Sequence, residues 1–308
     1  MTLLSIIFAL LLEQVRPLAV TRSDAVLRFW ARFLESQFNA GERRQGRVAW
    51  WVGAALPAVL LLGVQWALAW WGQWLATALL GIATLYLTMG FRQFSHYFTD
   101  IHLALRMGEL ERARQLLSNW RGQAGEHLTS GEVARLSIEE ALLASYRHVF
   151  APLFWFVLLG PAGALSYRLS AFFGREWGAR QESEFGAFGE FARRAFGVID
   201  WLPVRMTAAA FAVVGDFEDA IYCWRNQADR WPDAAAGILL ASGGGALGVR
   251  LGLPVHDAEG DPGERPELGI GEEADTDFMQ STIGLVWRTL VMALLLLGGI
   301  FGYFQLRQ

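Results

Sequence analysis

Long apolar runs, rather than an alternation of apolar and polar positions, organise this chain. Val48–Trp71 carries no charge, opens on Trp50-Trp51 and closes on Trp70-Trp71. Trp74–Phe91 returns after Gly72-Gln73, so the two predict a transmembrane hairpin. Val149–Leu169, interrupted by Pro152 and Pro161, and Trp287–Phe304 are two further runs. Each approaches the roughly 20 residues that cross about 30 Å of hydrocarbon at about 1.5 Å per residue. Three weaker stretches accompany them. Thr2–Leu12 is short and extends to Val20 only by including Glu13 and Arg16; Ala195–Val214 carries Asp200, Pro203 and Arg205. Ala234–Val255 is Gly-rich, contains Arg250, and reads as either a span or a short re-entrant element. The expected fold is all-α and polytopic, with about four to six membrane segments.

The polar stretches orient these segments. Residues 21–47 are basic and amphipathic: Phe29, Trp30, Phe33 and Leu34 recur at helical spacing among Arg22, Arg28, Arg32, Arg43, Arg44 and Arg47. Residues 92–148 are polar, helix-prone and carry seven Arg. The positive-inside rule places both on the cytoplasmic side. Residues 1–308 therefore read as one membrane domain, with 92–148 a cytoplasmic helical insertion and 256–284 an acidic loop. Within it, His256–Asp277 holds nine acidic residues and Arg265 as its one base. The N-terminus lacks a basic region and a small-residue cleavage site, so it reads as a retained membrane segment. The expected location is a bacterial inner membrane.

Composition narrows the chemistry. Hydrophobic residues make up 54% and charged residues 18% of the chain, too apolar for an ordinary soluble domain. The 14 Trp suit the boundary between lipid tail and water. A net charge of −4 gives no reason to expect a nucleic acid partner. All 26 basic residues are Arg, which excludes a P-loop lysine and any Schiff-base lysine. Cys223 stands alone, so neither an intrachain disulfide nor a cysteine-based zinc site can form.

Several polar residues in apolar surroundings are candidates for function. Asp200 and Arg205 flank Pro203; they read as an internal charge pair, or as a site where Arg205 grips a carboxylate or phosphate. His96 and Asp100, with His102 nearby, have helical spacing but no evident third metal ligand. Arg147 and His148 open a span, where a basic anchor is ordinary. Gly243-Gly244-Gly245 lacks the Gly-Lys-Ser/Thr of a P-loop and reads as close helix packing before a phosphate cradle.

Certain motifs appear in an order that resembles a known family. They are Glu111-Arg112-Ala113-Arg114-Gln115-Leu116-Leu117-Ser118, Ala151-Pro152-Leu153-Phe154, Tyr167-Arg168, Trp201-Leu202-Pro203-Val204-Arg205, Gly245–Gly252 and Pro266-Glu267-Leu268-Gly269. The chain resembles the CobD/CbiB family of cobalamin-biosynthesis membrane proteins and its relative AmpE, associated with β-lactamase regulation. The resemblance implies, for the enzyme branch, an ATP- and magnesium-dependent amide ligase joining an amino-alcohol, as its phosphate, to a corrinoid carboxylate. It also implies ligand-binding positions at Arg205, Asp200, Arg168, Glu139 and Arg250; no catalytic or metal residue is assigned.

The acidic motifs of that branch depart from the pattern. Leu143–His148 stands where the branch carries Glu-Asn-Thr-x-Asp-Gly, so Arg147 occupies the acid's position. Ala171–Gly174, Phe196-Gly197 and Asp233-Ala234-Ala235 replace three further acidic motifs, while Glu139 stays in register. Ala-Pro-Leu-Phe-Trp and Asp-Trp-x-Pro-Val-Arg are forms shared with the AmpE-like branch. The expectation is a non-catalytic regulator that binds an unidentified small ligand or a membrane-protein partner in the lipid bilayer. The alternatives are the amide synthase, with ATP, magnesium and a corrinoid, and a structural membrane subunit.

Overall fold

The structure, a computed structural model, describes residues 2–15, 20–123, 125, 127–180, 185, 187–255 and 265–305. It is helical, as the apolar runs predict. In chain order the helices are α1 (Thr2–Val15), α2 (Val20–Phe38), α3 (Arg43–Trp50), α4 (Leu56–Trp70), α5 (Trp74–Thr88), α6 (Phe91–Arg106), α7 (Leu110–Arg121) and α8 (Ser130–Ser145). They continue with α9 (Ala151–Leu159), α10 (Pro161–Glu176), α11 (Glu190–Val214), α12 (Phe217–Gln227), α13 (Ala234–Leu247) and α14 (Thr276–Gln305). Two-residue strands β1 (Val249–Arg250) and β2 (Glu272–Glu273) pair in parallel.

Prolines explain where the long helices widen. α3 and α4 join through a π-helical turn at Trp51–Ala55, just before Pro57; α8 and α9 join through another at Tyr146–Phe150, just before Pro152. A proline inside a helix has no N–H to donate and its ring crowds the carbonyl four residues back. A π turn absorbs that misfit without ending the helix. The products are spans of 28 residues (Arg43–Trp70) and 30 residues (Ser130–Leu159). Glu190–Val214 and Thr276–Ile300 are also long and apolar enough to cross a membrane. The protein is a multi-pass helical membrane protein.

Four boundaries differ from those expected. The first long span begins at Arg43 rather than Val48. The run Val149–Leu169 is not one helix: its first part belongs to the helix from Ser130, and Gly160, at φ 65° and ψ −152°, breaks the chain before Pro161. That backbone region is essentially closed to side chains bearing Cβ. Trp74–Thr88 is only 15 residues long, below a full crossing. Finally, α14 starts at Thr276, so 276–284 is helix rather than loop; residues 256–264 of the acidic stretch lie outside the described residues.

Contacts group the chain into two compact units, where the sequence suggests one domain. One unit comprises Met1–Arg92 and His148–Pro203, the other Gln93–Arg147 and Val204–Gln308. In the first, α4 and α5 pack as the expected hairpin, α1 lies along α5, and α10 packs on α4, α5 and α9. Its aromatic core stacks Phe173 on Trp177, with ring centroids 4.2 Å apart, beside Phe185, Phe188 and Trp50. Leu34 of α2 turns into this core, while Phe29 and Phe33 stay exposed, as an amphipathic surface helix requires.

In the second unit, α13 is enclosed by α8, α12 and α14, and every residue from Ala236 to Ala246 is buried. Asp233 caps its N-terminus through the N–H groups of Ala235 and Ala236. At about 21 Å from 14 residues it is too short to cross hydrocarbon. The Gly triplet is what admits the neighbours. A Cβ on Gly243 would lie 2.7 Å from a Leu142 methyl, and one on Gly245 would lie 2.5 Å from the Asp219 carbonyl oxygen. The triplet is therefore helical packing rather than a loop around phosphate.

Candidate functional site

The expected site residues separate into two constellations. In the first unit, Asp200 on α11 is 5% exposed and accepts a 3.0 Å hydrogen bond from the hydroxyl of fully buried Tyr167. One residue along α10, Arg168 places Nη1 3.5 Å from Nδ1 of His148 in the π turn. His148 is thus more than a terminal anchor: it meets a buried guanidinium. Arg147 stands in the same turn.

The second unit gathers Glu139 and Arg250. Glu139 lies on the buried face of α8, whose start is fixed by a capping box: Thr129 Oγ1 accepts from the Glu132 N–H, and Glu132 Oε2 accepts from the Thr129 N–H. Glu139 Oε1 accepts the N–H of Gly252 at 2.9 Å, and Oε2 accepts from Arg265 Nη2 at 2.5 Å. Gly252 has φ +73°, and a Cβ there would run into the Pro266 carbonyl, so glycine is what brings this N–H to the carboxylate. Arg250 on β1 pairs with Glu267 and Glu273, 3.7 Å and 3.3 Å away, at the edge of the same corner. Arg205 is half-buried on α11, beyond Pro203.

Three arginines and a tryptophan that the sequence did not single out as binding residues complete this corner. The Arg265 guanidinium lies over the Trp231 ring, 5.3 Å from its centroid. Arg135, one turn before Glu139 on α8, donates through Nη2 to the Pro254 carbonyl at 3.1 Å. Arg121 ends α7 within electrostatic reach of Glu139 and Arg265. Burial pushes its guanidinium below the usual arginine range, an effect that Glu139 opposes. The one signal available in the sequence was Arg265 itself, a lone base among acids.

Other candidates do not assemble. His96 Nε2 lies 3.5 Å from Asp100 Oδ2 on an exposed face of α6. Among the described residues no three His, Cys, Asp or Glu side chains gather to hold a metal ion.

A family model described as "CobD/Cbib protein" matches residues 4–286, nearly the whole chain. The chain belongs to the CobD/CbiB family. It is 35% identical over 274 residues to "Cobalamin biosynthesis protein CobD" of Stutzerimonas stutzeri (strain A1501), covering 87% of each chain. The Chromobacterium violaceum protein of the same name is 34% identical over 256 residues, covering 80% of this chain and 81% of the relative. "Cobalamin biosynthesis protein CbiB" of Salmonella typhimurium is 24% identical over 270 residues, covering 80% and 81%. No solved structure matches the chain. The matched residues 4–286 span parts of both compact units.

Proposed function

We propose that this chain works in cobalamin biosynthesis at a bacterial inner membrane, handling an anionic pathway intermediate at the Glu139–Arg265 corner. The observation that carries this reading is Glu139 itself. It keeps the register of a family acid, is 5% exposed, and is oriented by both a backbone N–H and a guanidinium. The arginines gathered around this carboxylate, with Arg265 oriented by it, suit charged carboxylate or phosphate substrates. The relatives reported above all carry cobalamin-biosynthesis names, which moves the weight from the AmpE-like regulator to the pathway.

In the catalytic form of this reading, ATP phosphorylates a corrinoid carboxylate. The amine of an amino-alcohol phosphate then attacks that carbon and expels phosphate, forming the amide. Magnesium would enter with the nucleotide, and no described residue is assigned to it. A second reading, binding without ligation, is favoured by Arg147 and by the other acidic motifs replaced in this chain.

The test incubates detergent-purified protein with adenosylcobyric acid, ATP, magnesium and aminopropanol phosphate, beside an established synthase. Mass spectrometry of the amide decides. Product that disappears in Glu139→Gln supports the catalytic reading. No product, with the control active, leaves binding without ligation.

A further inference from the structure

The corner around Glu139 holds guanidinium N–H groups that the acids beside them leave unbonded. Arg135 and Arg265 are largely buried, with side chains 12% and 20% exposed. Each has an Nε that is shielded from solvent and meets no hydrogen-bond partner among the described residues. The Arg121 side chain makes no hydrogen bond or ion pair to any described residue, and it lies within electrostatic reach of Glu139, Glu140 and Arg265. Arg135 Nη2 pairs with Glu132 Oε1 at 4.0 Å, and Glu139, Arg265 and Glu273 lie within its electrostatic reach. Two of these carboxylates are already engaged: Glu132 closes its capping box beside Arg135, and Glu139 holds Gly252 and Arg265.

Shielded guanidinium N–H groups without acceptors are costly. A tetrahedral phosphate removes that cost, because its oxygens accept several N–H bonds from neighbouring guanidinium forks. Trp231 beneath Arg265 fixes the plane of one fork before any ligand arrives.

We infer that Arg121, Arg135 and Arg265 form a binding site for a phosphate group, carried by a phosphate monoester or by a nucleotide. This deepens the function proposed above, on which it rests for the identity of the ligand but not for the existence of the site. Arg121 is the residue to remove, since it supports no contact among the described residues and Arg121→Gln should fold as the parent does.

The experiment measures binding and thermal stabilisation of the full-length protein in detergent, at constant ionic strength. Inorganic phosphate, aminopropanol phosphate and ATP are titrated separately, with sulfate and chloride as controls for charge alone. Saturable binding of at least one phosphate compound is expected, weakened about 10–100-fold by Arg121→Gln with the ligand-free midpoint unchanged. Preference for aminopropanol phosphate assigns a monoester, and preference for ATP a nucleotide. The inference is overturned if no phosphate compound binds saturably, or if Arg121→Gln binds as tightly as the parent. Amide formation without Arg121-dependent phosphate binding would sink this site and leave the proposed function standing; phosphate binding without amide formation would do the reverse to the catalytic reading.

Discussion

Replacing Glu139 with Ala removes one charge from a nearly dry corner and leaves three guanidinium groups behind. The Glu139 and Arg265 side chains are 7% and 20% exposed, so the pair is largely desolvated. Breaking a buried pair by deleting one partner costs about 3–5 kcal/mol, because the surviving charge is left uncompensated. Partial exposure of Arg265 lowers that figure, while the Gly252 N–H, stranded without its acceptor, raises it again. A loss of about 3 kcal/mol is the working expectation, or roughly 6–12 °C in the unfolding midpoint at about 2–4 °C per kcal/mol. The assay is thermal unfolding in detergent of the parent, Glu139→Ala, Arg265→Leu and the double variant. Because the two groups touch, the double variant should recover part of the summed loss, with a coupling of about 1–3 kcal/mol. Glu139→Gln should fall between, since its amide oxygen still accepts from Gly252. A midpoint within about 2 °C of the parent for Glu139→Ala, or strictly additive losses, would refute the idea that Glu139 holds α8 to Gly252 and Arg265.

Three further outcomes follow from other parts of the fold. Gly245→Val should destabilise by at least about 1–3 kcal/mol, read by chemical or thermal unfolding, because its Cβ meets the Asp219 carbonyl and the Ala220 Cα, both backbone atoms that cannot step aside. Gly160→Ala should cost about 1–3 kcal/mol, since its φ and ψ lie where only glycine is at ease; an unchanged midpoint would contradict the break before Pro161. The buried thiol of Cys223 is pushed up to about 11 from 9.0, by burial first and by Asp219 second. Its folded pKa exceeds the unfolded one, so the unfolded chain loses its proton first. The contribution is present below about pH 9 and is lost as pH rises towards 11. Cys223→Ala should flatten that part of the stability–pH curve, and equal slopes for both proteins would count against a buried thiol.

The sequence by itself determined the helical, membrane-spanning character of this protein and the family to which it belongs. Uncharged apolar runs of about 20 residues read as membrane helices, since only helices and closed barrels satisfy every backbone group in hydrocarbon. Local chemistry was legible for the same reason: Gly72 turning between two Trp-bounded runs is read within a few residues. The π turns before Pro57 and Pro152 follow from the rings, yet whether a proline ends a helix or merely widens it depends on what packs against it. The two compact units, the enclosure of α13 and the helix break at Gly160 likewise came from tertiary packing. So did the corner itself. Glu139 meets Gly252 and Arg265 across 113 and 126 residues, separations over which no local pattern carries information. Arg121 and Arg135 look like ordinary surface bases in a polar stretch until folding withdraws them from water, and only burial turns a solvated charge into one that calls for an anion.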